Sequence, residues 1–377
     1  MKCREQLFYS HRGRRKSFTK HGRKNIKKKL ICQKTKAAVL YEINKPLRIE
    51  ELTLPELKPG QVLVKIAYSG ICRSQFNEIK GLKGEDKFLP HTLGHEGSGV
   101  VEAVGSKVEK VKNGDHVVLT WIKSSGYDVS TALYKKDNET FINSGAISTF
   151  LTRSIVSENR LVKISKKMPL KEAALLGCAV PTGAGIILNT LNARSGGTIA
   201  IFGIGGIGSS ALLAAKLREV STIIAVDISD NKLKEALRLG ATHIINAEKE
   251  NVVSEIMKIT EMRGVDYAIE AVGKRASMES AFQVVRNNGG TFVIAGNLPY
   301  DKQISINPFD LIKGKRIIGT WGGETRPDTD IPEYVRLYLS KKFNFAKISN
   351  SVLKFEDINK AFDLLESNEM GRTIIEF

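Results

Sequence analysis

Between Gly196 and Trp321 the chain carries six short apolar runs, Thr198–Phe202, Thr222–Val226, His243–Ile245, Val265–Ile269, Thr291–Ala295 and Arg316–Thr320, at helix-sized separations. The runs are continuous rather than alternating, which predicts strands buried on both faces. Such strands belong to parallel sheets covered by helices on each side. This stretch therefore reads as a doubly wound α/β domain. At 377 residues the chain exceeds one ordinary core, so a second domain is expected.

That second domain has a different texture. From Thr35 to about Arg160, short alternating or apolar runs are punctuated by glycine and proline. Gln61–Tyr68, Gly99–Val104 and His116–Trp121 read as strands, with turns at Lys58-Pro59-Gly60 and Lys112-Asn113-Gly114-Asp115, giving a mostly β domain. The final segment, Ile331–Phe377, holds two helical patterns and a last strand, Thr373–Phe377, expected to pack back on the first domain. The expected division is a basic extension over 1–34, a mostly β domain over 35–179 and 322–377, and a dinucleotide-binding domain over 180–321.

Gly203-Ile204-Gly205-Gly206-Ile207-Gly208 fits G-x-G-x-x-G between a predicted strand and a predicted helix, Ile207–Arg218. Glycines there let the backbone approach a pyrophosphate, whose charge a helix N-terminus stabilises. Asp227 ends the second strand, 19 residues after Gly208. An acid at that place accepts the adenosine ribose hydroxyls and repels a 2′-phosphate, which selects NAD over NADP.

Three residues supply a metal chemistry. Cys72 in Ser69-Gly70-Ile71-Cys72-Arg73-Ser74, His95 in Gly94-His95-Glu96-Gly97-Ser98-Gly99, and Cys178 in Leu176-Gly177-Cys178-Ala179-Val180-Pro181-Thr182-Gly183 are the ligand types of a catalytic zinc. Such a zinc takes three protein ligands and keeps a fourth position open. With these motifs, the chain from about Lys36 to Phe377 resembles the zinc-dependent alcohol dehydrogenases of the medium-chain family, most specifically in Gly94-His95-Glu96-x-x-Gly99-x5-Gly105.

The resemblance implies a GroES-like catalytic domain, a Rossmann domain, and zinc-dependent hydride transfer between an alcohol and NAD. It implies that Cys72, His95 and Cys178 hold one catalytic zinc, with Glu96 an acid able to approach the metal. Arg73 and Arg372 match positions near the cofactor phosphates, Ser74 the proton-relay hydroxyl, Thr182 a residue beside the nicotinamide, and Trp121 a bulky pocket wall. A small-molecule alcohol or carbonyl would be the substrate, its identity left open among primary, secondary and polyol types. A zinc-free quinone or enone reductase of the same superfamily is the alternative, against which the intact Cys/His/Cys set argues.

Three departures matter. Ile122–Phe150, where the family places a four-cysteine zinc lobe, contains no cysteine, so packing and hydrogen bonds around Tyr127, Tyr134 and Phe141 are expected to hold it. Gln75 stands where an acid usually supports the ligands. Asn77 replaces the histidine that ends the relay in some members, and it cannot take a proton.

The net charge of +18 is uneven: residues 1–36 carry 14 Lys/Arg against Glu5 alone, and the rest of the chain is only +5. The tail is expected to be a solvated disordered arm, dispensable for chemistry. A nucleic-acid-binding role for it is the reading from another class, but it lacks interleaved aromatics. Four widely spaced cysteines form no disulfide framework and favour a reducing cytoplasm, and apolar stretches such as Ala211–Ala215 are far too short to span a bilayer. Gln303-Ile304-Ser305-Ile306 has the alternation of an exposed edge strand, from which a homodimer is expected.

Overall fold

The computed structural model of the protein describes residues 33–367 and 372–377, so the basic tail lies almost wholly outside the described residues. Lys34 already opens the first strand, Lys34–Leu40. With Arg48–Thr53, Leu133–Lys135, Phe141–Asn143 and His91–Thr92 this strand closes a small barrel. Beside it runs a second sheet in the order Leu161–Lys163, His116–Thr120, Glu96–Val104, Gln61–Gly70, Arg372–Glu376, Ser349–Lys354, with Arg153–Ser157 also paired to Gln61–Gly70. The chain's last strand thus joins its third, Ile374 opposite Gly70. Glu96–Val104 begins three residues earlier than its apolar run, because Gly97 and Ser98 also pair, on one side with Ser69 and Tyr68 and on the other with Leu119 and Val118. That extension places Glu96 on the sheet.

The third sheet is six-stranded and wholly parallel, in the order His243–Asn246, Thr222–Asp227, Thr198–Phe202, Tyr267–Glu270, Thr291–Ile294, Arg316–Gly319. The order reverses between Thr198–Phe202 and Tyr267–Glu270, and the crevice at such a switch point is where open α/β sheets bind ligands. Ile199, Ile201, Ile223 and Ala225 bury one face against the helix Gly206–Leu217, while Ala200, Phe202, Ile224, Val226 and Phe292 bury the other with Phe282 of the helix Arg275–Val284. Double-sided burial is the physical cause of the continuous apolar runs. Among the described residues no single helix is long and apolar enough to cross a membrane.

Two sequence expectations need correction. Gln303–Ile306 is not a strand; it is irregular chain whose Ile304 and Ile306 pack inward on the parallel sheet's core, and Asn307 then caps the helix Pro308–Ile312. Its alternation reflects that one-sided burial. In the cysteine-free lobe, Tyr134 is fully buried and accepts the Ile155 N–H at 2.8 Å, but Tyr127 and Phe141 are 44% and 51% exposed. Tyr134 packs there with Ala132 and Ile142, and the buried carboxylate of Glu158 ties the lobe to the chain before it. That carboxylate accepts the backbone N–H groups of Glu109 and Lys110, both at 2.7 Å, and of Tyr127 at 3.0 Å. Lys110 also pairs with Asp328, which accepts the Ser125 N–H at 2.7 Å. Hydrogen bonds do here what thiolate–metal bonds do in a zinc lobe.

Burial alone would push the Glu158 carboxyl up, but these N–H groups and the Lys110 charge outweigh it and hold the group below the usual glutamate range. A depressed folded-state pKa contributes stability above the unfolded value near 4.3 and loses it as pH falls through the folded value. Glu158→Gln is expected to cost about 1–3 kcal/mol in urea unfolding at neutral pH. The gap from wild type should shrink below about pH 4. A pH-independent gap would show that the charge is not what holds the lobe.

Candidate active site

Cys72 follows the strand Gln61–Gly70 and is the N-cap of the helix Arg73–Ile79, its carbonyl accepting the Gln75 and Phe76 N–H groups. His95 directly precedes Glu96–Val104, and Cys178 sits between the turn Ala174–Gly177 and the helix Ala179–Gly185. Gly177 is required for their approach: a Cβ there would lie 2.7 Å from the Glu96 Cα and closer still to the Leu119 carbonyl. The sheet thus brings together residues 23 and 83 positions apart. One ligand atom from each of Cys72, His95, Glu96 and Cys178 falls within 4.8 Å of the others.

The chemistry of this donor set fits zinc. Both thiols are free and buried, and His95 Nε2 is buried without a hydrogen-bond partner. The Cys178 thiol donates to Cys72, which together with Arg372 and His95 holds Cys72 well below the ordinary thiol range despite burial. Cys178 is correspondingly pushed up. The pair gives up a first proton easily and a second with difficulty, which is the electrostatics of a site completed by a cation.

Glu96 is fully buried and forms an ion pair with Arg372, itself 7% exposed, at the start of the last strand. Its other oxygen accepts the Ala179 N–H at 3.3 Å. Gln75, with its amide oxygen turned toward the strand, accepts the backbone N–H groups of Gly94 and His95, the latter at 3.1 Å. The residue that replaces an acid therefore fixes the backbone of a ligand. Ser74 lies half-buried two residues after Cys72, and Thr182, one helical turn after Cys178, holds its buried hydroxyl beside the Cys178 thiol.

The nucleotide motif forms strand, turn and helix as its glycines predict. A Cβ on Gly208 would collide with the Gly203 carbonyl, whereas Gly205 faces open space. Asp227, 8% exposed, accepts the Ile204 N–H at 2.8 Å and the Ser229 N–H at 3.1 Å, so it braces the glycine turn as well as presenting a carboxylate. Arg372 spans the two halves: its Nη1 lies 3.3 Å from where a Gly206 Cβ would stand, while its guanidinium pairs with Glu96. Arg73 donates to the Leu365 carbonyl at 2.8 Å.

Two functional candidates are not marked by the sequence pattern. Lys232, in the first turn of the helix Asp230–Leu239, is close enough to feel both Asp227 and Arg73; burial pushes its ammonium down while Asp227 holds it up. Its signal was its place, five residues past the strand-ending acid. Trp321, two residues past the last parallel strand, is 74% exposed, with its ring edge-on to Trp121 at 5.0 Å. The Trp121 indole N–H reaches the Cys178 sulfur, so an aromatic wall runs outward from the thiols.

Residues 58–166 match the alcohol dehydrogenase GroES-like domain and residues 206–340 the zinc-binding dehydrogenase domain. An alcohol dehydrogenase zinc-binding domain protein from Burkholderia ambifaria is similar at 32% identity and TM-score 0.84, over 92% of this chain and 99% of that one. Benzyl alcohol dehydrogenase from Acinetobacter calcoaceticus is similar at 30% identity and TM-score 0.83, over the same shares. 2R,3R-butanediol dehydrogenase from Bacillus subtilis is similar at 26% identity and TM-score 0.73, over 91% and 99%. The chain belongs to the zinc-dependent alcohol dehydrogenase family of the medium-chain dehydrogenases.

Removing one member of a buried ion pair strands the other charge, at a cost of about 3–5 kcal/mol. Arg372→Met should show a loss of that order in denaturant unfolding, and adding Glu96→Gln should recover much of it. Simple additivity of the two substitutions would show that the charges do not sense each other.

Proposed function

We propose that this protein oxidises an alcohol to its aldehyde or ketone with NAD as hydride acceptor, using one zinc held by Cys72, His95 and Cys178. The observation that carries this reading is the convergence of two buried thiols, an unpartnered imidazole nitrogen and Glu96 beside the glycine turn. Zinc held there supplies a Lewis acid that makes an alcohol hydroxyl more acidic. The nicotinamide supplies the redox chemistry. Everything else falls to the chain. Asp227 and Lys232 bind the ribose, and Arg73 and Arg372 face the pyrophosphate. Thr182 offers its hydroxyl beside the ring. Ser74 accepts the substrate proton and passes it to water, since Asn77 has no group that can carry it on. The assembled ligand set disfavours the zinc-free reductase alternative. Free Cys72 and Cys178 suit a reducing cytoplasm.

Trp121 and Trp321 favour a substrate bearing an aromatic ring, since two indoles meeting edge-on give an apolar wall and few partners for extra hydroxyls. Likeness to a benzyl alcohol dehydrogenase supports the same choice. The test is a panel of benzyl alcohol, 2,3-butanediol and ethanol on zinc-loaded protein, following the reduced cofactor. Benzyl alcohol with NAD should give the highest kcat/KM, and Asp227→Ala should narrow the preference over NADP. Cys178→Ala should lose the metal and the turnover while retaining NAD binding. No turnover with any alcohol would overturn the reading, and a wild-type preference for NADP would overturn the role of Asp227.

A homodimer is proposed as well. Tyr300, Phe309 and Ile312, 84%, 55% and 77% exposed, project from the chain between the last two parallel strands, and such apolar exposure marks an interface. Light scattering at micromolar concentration should give twice the chain mass, against which a monomer would count directly.

A further inference from the structure

Between the first two zinc-ligand positions lies a second group of metal-binding side chains. Glu78 ends the helix that Cys72 caps, Asp86 lies in the loop that follows, and His91 opens the short strand leading to His95. One ligand atom from each lies within 4.8 Å of the others. His91 Nε2 is 2.8 Å from Asp86 Oδ2 and 3.9 Å from Glu78 Oε1. The imidazole is 5% exposed and the Asp86 side chain 9%.

The outer atom of every one of these groups is already engaged. His91 Nδ1 lies 3.1 Å from the Thr92 carbonyl, to which it can only donate. Asp86 Oδ1 accepts the Phe88 N–H at 3.0 Å, and Glu78 Oε2 accepts from Lys83 at 2.8 Å. What faces inward is the imidazole Nε2, one carboxylate oxygen of Asp86 and one of Glu78. A histidine bound to a metal usually donates its other N–H to a backbone carbonyl, and ligating carboxylates are themselves hydrogen-bonded on their outer side. A bare histidine–aspartate contact would need no second carboxylate facing the same nitrogen.

We propose that Glu78, Asp86 and His91 form a second cation site, for a divalent transition metal such as zinc or manganese, distinct from the Cys72/His95/Cys178 centre. One nitrogen and two oxygens suit borderline and hard divalent ions, and three ligands leave positions for water. The site is therefore weaker and more exchangeable than one with two thiolates. Bonds of roughly 2.1 Å keep ligand atoms within about 4 Å of one another, so only Glu78 has to move inward. Its place gives it a consequence: it ties together both ends of the loop that joins two catalytic ligands, and in that loop the Leu82 carbonyl accepts the Tyr300 N–H from the dinucleotide domain at 3.4 Å. Occupancy would stiffen the rim where the two domains meet.

The test is titration of the full-length protein, zinc-loaded and then dialysed to remove exchangeable metal, with manganese chloride, free Mn2+ being read by electron paramagnetic resonance. Thiolates disfavour this ion, so the catalytic centre stays silent. About one Mn2+ should bind per chain, at least ten-fold more weakly in Glu78→Gln and not measurably in His91→Ala, while the tightly held zinc is retained in both. Glu78 is only half-buried, so its variant keeps the test decisive should His91→Ala fail to fold. Absence of Mn2+ binding at millimolar concentration, or equal binding by wild type and Glu78→Gln, would overturn the proposal.

Discussion

Two thiols, an imidazole and a carboxylate meet in a space with little water, and most of the structure exists to make that tolerable. Buried ionisable groups are costly unless paired. Arg372 offsets the charge of Glu96 and lowers Cys72, and a metal cation would complete the balance. The four groups come from three separated segments, so the arrangement also requires the antiparallel sheet. Glu96–Val104 runs between Gln61–Gly70 and His116–Thr120, and Gly177 has no side chain to keep Cys178 away. The last strand closes the circuit by delivering Arg372 to both the metal cluster and the glycine turn. One guanidinium is thereby placed to sense a metal and a cofactor together when the proposed ligands are bound.

The cysteine-free lobe shows that a metal-stapled element can be held by other means. Three N–H groups converge on Glu158, and Asp328, accepting the Ser125 N–H, joins the lobe to the helix Pro327–Leu339. The lobe's stability is thereby linked to pH rather than to metal supply. Gln75 makes a similar exchange on a smaller scale, holding a ligand's backbone where an acid would act by charge.

The parallel sheet was legible because burial on both faces writes itself into sequence as unbroken apolar runs; five of the six observed strands agree with those runs within a residue at each end. Only Val265–Ile269 is displaced, Val265 forming an isolated bridge with Val285 before the strand begins at Tyr267. The residues that converge at Cys72, His95 and Cys178 were legible from residue type and motif. Less legible were features created by long-range packing. The edge-on meeting of Trp121 with Trp321, the Glu158 hub and the Glu96–Arg372 pair join residues far apart in sequence, and no local pattern records them. Gln303–Ile306 misled for the complementary reason, since alternation reports a buried face without saying whether a neighbouring strand supplies a ladder.

The proposed function requires one tightly held zinc, bound by two sulfurs and one imidazole nitrogen from Cys72, Cys178 and His95. X-ray absorption at the zinc edge, on protein dialysed to remove exchangeable metal, tests it most directly. Two sulfur scatterers near 2.3 Å and one imidazole nitrogen near 2.0–2.1 Å are expected, with the remaining position held by a light atom. Four sulfurs, or a shell of nitrogen and oxygen alone, would contradict the account.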